Sequence, residues 1–358
     1  MAQLKKLDPK SDSQLDGHSA LKKGLDISLW RELEGHQLTL KPLLTAAAEN
    51  RLAGTLLFAG PSGIGKKFGA LTLTQSLVCE TPIETRLDTA GCGVCGPCQR
   101  IKKNQSESLL IVEPNGAQIK IEQARDVLQF LNLQKLGRAR VIIIDQAHLL
   151  GTQAGNALLK ALEEPPEGTY FILVSALPNS ILATLRSRSQ LVRFKPLSDE
   201  SLKTILTRTS DAGQVDEWLL SAANGSVEAA KRMAEERAEY EALEVATTAY
   251  LAAALTHFPG TEISRLRELL KDRSAHGFVA SVIQGAVTDA LKLKSGIRPK
   301  QRKGTDGGTL KSVLTPLSEK APRTLDLLAK KSLEFEADLA RNVDRGLLLE
   351  ALAVELSR

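Results

Sequence analysis

Residues 60–67 constrain this chain more than any other segment, because they nearly match the phosphate-binding loop of nucleotide-binding proteins. They spell Gly-Pro-Ser-Gly-Ile-Gly-Lys-Lys, whereas the pattern G-x-x-x-x-G-K-[S/T] ends in a hydroxyl residue. The loop glycines, which let backbone N–H groups curl around phosphate oxygens, are Gly60, Gly63 and Gly65. Lys66 would reach the β- and γ-phosphates, but Lys67 stands where a serine or threonine would ligate Mg²⁺. The segment, termed here the phosphate loop, therefore predicts an altered nucleotide site.

The sequence around the phosphate loop supplies the strand–loop–helix context that the motif requires. An apolar run at 54–59 predicts a buried strand before the loop, and residues 67–79 predict a helix after it. Further strands are predicted at 109–112, 141–144, 171–174 and 190–194, with helices at 38–50, 121–133, 152–163 and 181–186. Strands that alternate with helices over residues 54–195 predict an α/β fold with a parallel sheet covered on both faces.

The domain organisation follows from changes of composition along the chain. Residues 1–26 are polar and lack apolar periodicity, which predicts a disordered N-terminal tail. We expect the sheet domain at 27–196, a small helical unit at 197–237 and an all-helical domain at 238–358. A basic, turn-rich stretch at 292–311 interrupts the last domain; a solvated loop is favoured there over a DNA contact.

Composition excludes few classes of protein. Hydrophobic residues make up 42% and charged residues 25% of the chain, as in an ordinary globular protein. The net charge of +5 is compatible with nucleic acid but weak support for it. We find neither a signal peptide nor an apolar run long enough to span a membrane, so we expect a cytoplasmic protein with reduced cysteines.

All the cysteines fall within twenty residues, at positions 79, 92, 95 and 98. Four thiolates suit tetrahedral zinc, and the glycines among them allow tight turns that bring the ligands together. The pattern predicts a closed, structural zinc site formed by Cys79, Cys92, Cys95 and Cys98 in an insertion at 79–98. An iron–sulfur cluster, or free thiols or disulfides, remain as less favoured alternatives.

The strand at 141–144 ends in Asp145, which is followed by Gln146. In phosphate-loop ATPases an aspartate here holds Mg²⁺ and the next residue, a glutamate, polarises the attacking water. An amide cannot accept a proton, so Gln146 removes the base, and His148 is expected to be a packing residue. The site therefore lacks the metal ligand and the base. It can still attract the phosphates of ATP or ADP through its lysines, but we expect little or no hydrolysis.

Arg188 lies in Thr-Leu-Arg-Ser-Arg-Ser, residues 184–189, just before the last predicted strand. An arginine of this kind is either a surface charge or an arginine finger that reaches the γ-phosphate in a neighbouring subunit, which can be worth roughly 10³–10⁵ in rate. The residue chemistry alone does not choose between these two interpretations.

Several segments resemble the delta-prime family of subunits in the bacterial DNA polymerase III clamp loader, within the AAA+ proteins. They are Thr55 to Lys66, the cysteine insertion, residues 119–125, Val141 to His148, Asn156 to Pro166 and Leu182 to Arg188. Together they span residues 35–195; the last third of the chain is similar only in helical character and length.

The resemblance implies an AAA+ domain, a helical lid at 197–237 and a helical collar at 238–358 that joins a five-subunit ring. It also implies tau/gamma and delta subunits as partners, together with the sliding clamp and primed DNA. Members of this family are often stators that do not hydrolyse ATP, in agreement with Lys67 and Gln146. Arg188 matches the family's Ser-Arg-Cys finger, with Ser189 in place of the cysteine.

Two further departures weaken the case for an active ATP site. Ser106-Glu-Ser108 replaces the family's His-Pro-Asp, and Ser175-Ala176 lacks the asparagine that senses the γ-phosphate. We therefore expect a stator with no ATPase activity of its own. The alternatives are an active tau/gamma-type ATPase, a phosphate-loop nucleotide kinase, which the helical last third does not fit, and a zinc-dependent nucleic-acid binder.

Overall fold

A computed structural model describes residues 28–209, 215–272, 274–297, 307–340 and 343–357. The predicted tail at 1–26 and residues 298–306 of the basic stretch lie outside the described residues. Among the described residues, no helix combines the length and apolar character needed to cross a membrane.

One sheet of five parallel strands carries the first part of the chain, with spatial order β2–β3–β4–β1–β5. The strands are β1 (Thr55–Ala59), β2 (Leu109–Val112), β3 (Arg140–Ile144), β4 (Thr169–Ser175) and β5 (Gln190–Arg193). Every predicted strand is present, and its bounds differ from the prediction by no more than two residues. Continuous aliphatic runs such as Val141–Ile144 favour this arrangement because both faces of the sheet are covered.

Helices cover the two faces of the sheet. They are α1 (Leu29–Glu32), α2 (Gln37–Ala48), α3 (Lys66–Val78), α4 (Gly96–Lys102), α5 (Ile121–Asn132), α6 (Thr152–Glu163) and α7 (Ala183–Arg186). Alternate residues of β3 point to opposite faces. Val141 and Ile143 pack in a core with buried residues of α2 and α3, whereas Ile142 and Ile144 pack with buried residues of α5 and α6. The sheet is thus the middle of three layers, as the α/β prediction requires.

Only helices follow β5 in the described part of the chain. They are α8 (Asp199–Thr209), α9 (Glu217–Ala222), α10 (Val227–Glu235), α11 (Arg237–Thr256), α12 (Gly260–Leu269), α13 (Ser274–Lys294), α14 (Gly307–Glu319), α15 (Pro322–Ala340) and α16 (Arg345–Ser357). Their buried side chains form one apolar cluster that runs from Leu197 to Leu356. Inside it the Tyr250 hydroxyl donates to the carbonyl of Leu349 at 2.7 Å, which ties α11 to α16.

The carboxyl ends of the strands gather the polar residues of interest. Ala59 pairs with Ser175, and Val112 pairs with Ile144, so β1 to β4 end at the same edge of the sheet. In open α/β sheets, ligands bind outside the carboxyl ends of the strands. This edge is therefore the place at which the predicted nucleotide residues must meet.

Candidate functional site

The phosphate loop leaves β1 and curls into the first turn of α3. Gly63 and Gly65 have φ angles of +70° and +95°, a left-handed conformation that residues with a side chain rarely adopt. Lys66 is only 6% exposed, and its Nζ donates to the carbonyl of Gly60 at 2.7 Å and to that of Pro61. The lysine thus folds back onto its own loop.

Burial lowers the pKa of Lys66 to about 8, and the negative charges of Asp145 and Glu228 offset only part of this effect. The ammonium group loses hydration in the cavity and finds neutral carbonyl groups as hydrogen-bond acceptors. The cation that would bind β- and γ-phosphates is therefore already engaged within the protein.

Lys67 lies at the position where the motif expects a metal-ligating hydroxyl. Its Nζ forms an ion pair with Glu113, the residue after β2, and lies 3.6 Å from the Asp145 carboxylate. Burial works against the charged lysine, but the hydrogen bonds and charges of Glu113 and Asp145 outweigh it and raise the pKa of Lys67. An ammonium group thus lies between the two carboxylates. The residues present do not fit a magnesium ion, which requires oxygen ligands in near-octahedral geometry.

Gln146, the residue that stands in place of the expected base, is exposed and has a left-handed φ of +49°. Its backbone N–H donates to Asp145 Oδ1 at 2.9 Å. His148, which the sequence predicts to be a packing residue, is half-buried and lines the cavity beside the phosphate loop. Its Nδ1 lies 3.2 Å from the Ser175 hydroxyl, which also accepts from the N–H of Leu177 at 3.0 Å. Burial, together with the charge of Lys66, lowers the pKa of His148.

Two cavities flank the phosphate loop. The polar one has a volume of about 390 Å³ and is lined by Lys66, Lys67, Asp145, His148 and Glu228, among other residues. The second, of about 280 Å³, is mainly apolar and is lined by Leu33, His36, Phe68, Leu197, Ile205 and Val227, among others. The His36 ring Nε2 lies 2.7 Å from the carbonyl of Ile64, which fixes the ring against the loop. A polar and an apolar compartment beside one glycine-rich loop are what a ligand with charged and aromatic parts requires.

Arg188 lines neither cavity. It follows α7, and its side chain is 34% exposed. The guanidinium is 2.9 Å from the carboxylate of Glu163, at the end of α6, and donates to the carbonyl of Thr184 at 3.2 Å. Since exposed ion pairs contribute little, Glu163 holds the arginine at the surface only loosely. In this position Arg188 contacts Glu163 and Thr184 and none of the residues of the phosphate loop in the described contacts.

The cysteines meet in one cluster between α3 and α4. Their Sγ atoms all lie within 4.8 Å of one another, with 4.0 Å between Cys92 and Cys98 and 3.9 Å between Cys95 and Cys79. A tetrahedron of thiolates around zinc has edges of about 3.8 Å, given a Zn–S bond of about 2.3 Å. The donor set fits zinc in number, type and spacing, as the sequence predicted.

Backbone and side-chain groups already surround these sulfurs with donors. The N–H of Cys92 donates to Cys79 Sγ, and the N–H of Cys95 donates to Cys92 Sγ. The Thr81 hydroxyl also donates to Cys92 Sγ, at 3.1 Å. The neighbouring Cys98 thiol lowers the pKa of Cys79 to about 4, while donation to Cys79 and burial raise the pKa of Cys98. Donors of this kind stabilise thiolates and orient metal ligands.

The structure thus unites Gly60, Gly63, Gly65, Lys66, Lys67 and Asp145 at one edge of the sheet, with Gln146 beside them. It keeps Arg188 apart from them. Sequence reasoning missed Glu113 and Glu228. Glu113 had a detectable signal, since it directly follows a predicted strand that ends at the same edge; Glu228 comes from α10 and had none.

Comparison with known proteins finds that this part of the chain is similar to subunits of DNA polymerase III. A family model described as DNA polymerase III, delta subunit, matches residues 35–198. The DNA polymerase III subunit gamma/tau of Mycobacterium tuberculosis is 35% identical over 182 residues, which are 49% of this chain and 30% of that protein. The DNA polymerase III subunit delta′ of Bacillus subtilis is 30% identical over 202 residues, 56% of this chain and 60% of that protein.

The alignments therefore span less than two thirds of these relatives' own lengths. Among solved structures, a gamma subunit-related protein of DNA polymerase III from Thermotoga maritima is 19% identical, with a TM-score of 0.38. The superposition covers 89% of this chain and 97% of that one.

Proposed function

We propose that this chain is a clamp-loader subunit of the AAA+ type and, within that class, a non-hydrolysing stator. The proposal is supported by the match of residues 35–198 to the DNA polymerase III delta-subunit model and by the similarity to a delta′ subunit. In this role it assembles with tau/gamma and delta subunits into a five-membered ring. The ring uses ATP bound by other subunits to load the sliding clamp onto primed DNA. The chain contributes a fixed scaffold and one catalytic side chain that acts on a neighbouring subunit.

The position of Lys67 is the observation that carries the stator role. Its ammonium group lies 3.6 Å from Asp145 and pairs with Glu113, so that the space for a catalytic metal ion is taken by a covalently attached cation. Phosphoryl transfer in phosphate-loop proteins depends on Mg²⁺ to neutralise charge on the β- and γ-phosphates. Without a metal position, and with Gln146 in place of a base, the cavity supports no hydrolysis.

Arg188 supports a role in trans. Its side chain lies at the surface, outside the cavities of its own chain, and is held by an exposed partner, Glu163. Breaking an exposed pair costs less than about 1 kcal/mol, so the guanidinium is free to turn towards a neighbour's γ-phosphate. The cysteine cluster, closed by four sulfurs, has a structural rather than a catalytic role in this proposal.

An active ATPase of the gamma/tau type is the second candidate. The 35% identity to a gamma/tau subunit favours it, as does the retention of Lys66, Asp145 and the loop glycines. The two candidates differ in one measurable property, the ATP turnover of the isolated chain. A stator shows no Mg²⁺-dependent turnover above that of Lys66→Ala, whereas an ATPase shows turnover that Lys66→Ala abolishes.

The decisive experiment is a complex reconstituted with tau/gamma and delta subunits, in which only the ATP site next to this chain is left active. Arg188→Ala is expected to leave assembly intact and to reduce turnover by roughly 10³-fold or more, the range measured for arginine fingers. Arg186→Ala is the matched control, because Arg186 lies two residues away and contacts Asn179. Equal turnover in the two variants would refute the finger.

A further inference from the structure

The helical lid touches the phosphate loop directly. The N–H of Val227, the first residue of α10, donates to the carbonyl of Gly63 at 2.9 Å. A methyl group placed on Gly63 would collide with the Ser226 hydroxyl and would lie 2.7 Å from Glu228 Cβ. We term this contact of Gly63 with residues 226–228 the lid clasp.

Contacts within the same chain fix the residues of the lid clasp in place. The Ser226 hydroxyl caps α10 by accepting from the N–H of Ala229 at 3.2 Å. The carbonyl of Gly225 accepts from the N–H of Leu197 at 3.2 Å, and a Cβ on Gly225 would lie 2.5 Å from the backbone of Leu197. The start of α10 is therefore fixed against the segment that leaves β5, and the clasp is a built contact of the fold.

The lid clasp lies where the two cavities of the site meet. Gly63 and Gly65 line both the polar and the apolar cavity, Val227 lines the apolar one, and Glu228 lines the polar one. A nucleotide that placed its base in one cavity and its phosphates in the other would have to pass the loop at this point. It would meet the Val227–Gly63 hydrogen bond and the Glu228 side chain.

The charges on this path oppose a polyphosphate. Lys66 and Lys67 supply the positive charges near the loop, while Asp145, Glu113 and Glu228 supply negative ones. Both lysines are already engaged, Lys66 by loop carbonyls and Lys67 by the first two carboxylates. Glu228 is drawn towards Arg232 on α10 at 3.3 Å, yet its carboxylate still acts on Lys66. A phosphate chain entering the cavity adds negative charge to a site with no free cation among these groups.

We propose that the lid clasp and the Glu228 carboxylate together exclude polyphosphate nucleotides, so that the lid is seated on the phosphate loop without a ligand. The proposal rests on the stator function and deepens it, because it names Glu228 as the residue that decides which ligands this site rejects. Glu228 discriminates by charge, and therefore against ATP more than ADP and against ADP more than adenosine.

The test is a calorimetric titration of the full chain with adenosine, ADP and ATP, without Mg²⁺. Glu228→Gln keeps the shape of the side chain and removes its charge; we expect it to tighten ATP binding by about fivefold and to leave adenosine binding unchanged. Glu228→Lys is expected to extend the gain for ATP. Glu235→Gln is the matched control, because Glu235 is exposed on the same helix and lines neither cavity. Thermal midpoints identify any variant that fails to fold.

Hydrogen exchange at the Val227 amide gives a second measurement. In the wild-type chain this amide is expected to be protected without nucleotide and to remain so when ATP is added. The proposal is overturned if wild-type chain binds ATP more tightly than adenosine, or if Glu228→Gln binds ATP no better than Glu235→Gln. These outcomes leave the stator function untouched, because that function is measured by the turnover of the neighbouring subunit and its dependence on Arg188.

Discussion

The exchange Lys67→Thr restores the hydroxyl that the phosphate-loop pattern requires and removes the ammonium between Glu113 and Asp145. In the wild-type chain these two carboxylates share the positive charge of one ammonium group. In the variant they flank a short polar side chain, and carboxylate and hydroxyl oxygens are ligands of the kind that Mg²⁺ prefers. We therefore expect the variant to be less stable than the wild type and to gain a response to Mg²⁺ that the wild type lacks.

The size of the loss follows from the exposure of the two ion pairs. Glu113 is 57% exposed, so its pair with Lys67 belongs with surface pairs, which contribute about 0.2–1 kcal/mol. Asp145 is only 19% exposed, so its pair, which is screened less, lies at or slightly above the upper end of that range. Together they contribute about 1–2 kcal/mol to the free energy of unfolding, which lowers the thermal midpoint of a domain of this size by about 2–8 °C.

Thermal unfolding with and without Mg²⁺ measures both effects. The midpoint of the wild type is expected to be independent of Mg²⁺, whereas that of Lys67→Thr rises as Mg²⁺ binds the native state. Lys102→Thr is the control, because Lys102 forms a partly exposed ion pair with Glu32, which does not line the polar cavity. Equal Mg²⁺ stabilisation of the wild type and Lys67→Thr, or an unchanged midpoint in the variant, would show that Lys67 does not occupy the metal position.

Three further outcomes are expected. Cys95→Ser should reduce bound zinc from about one ion per chain to well below that value. It should also speed hydrogen exchange in residues 79–98, while β3 and β4 stay protected. Full zinc content in the variant would contradict the ligand assignment. Gly225→Ala should lower the free energy of unfolding by more than about 2 kcal/mol, because φ is +76° and the backbone of Leu197 lies 2.5 Å from the new Cβ. Gly296→Ala, with φ +74° and open space around it, should lower it by only about 1 kcal/mol. Equal losses in urea unfolding would argue against close packing of Gly225 on Leu197. Glu163→Gln, which releases Arg188, should leave both the midpoint and the neighbour's turnover nearly unchanged, since an exposed pair contributes less than about 1 kcal/mol; a loss as large as that of Arg188→Ala would show that Glu163 positions the arginine.

The sheet was predictable because its strands are continuous apolar runs bounded by polar segments. Val141–Ile144 can be buried on both faces only in the middle of a covered parallel sheet, and β3 lies between β2 and β4. The helix after Gly151 ends where Pro165 and Pro166 follow, since proline disfavours the helical conformation in the residue before it. Local patterns of this kind depend on few long-range contacts, so the sequence alone indicates them.

The charges of the site were only partly predictable. Lys67 and Gln146 are recognisable in the sequence because they depart from a known pattern. Glu113 could have been found from its place directly after β2. Glu228 could not, because its position beside Gly63 depends on how α10 packs on the segment around Leu197. The order in which α11 to α16 pack is similarly set by tertiary contacts, which repeated Ala and Leu positions do not encode individually.

Helix α3 is fastened at both of its ends. At its start Lys66 is bonded to the carbonyls of the phosphate loop. Just past its last residue, Cys79 enters the sulfur cluster, and the Cys79 carbonyl accepts hydrogen bonds from Arg86 and Arg138. A helix anchored in this way keeps the glycine-rich turn in shape whether or not a ligand fills it. The phosphate loop and the sulfur cluster therefore lie at opposite ends of one helix, and each fixes the end of α3 next to it.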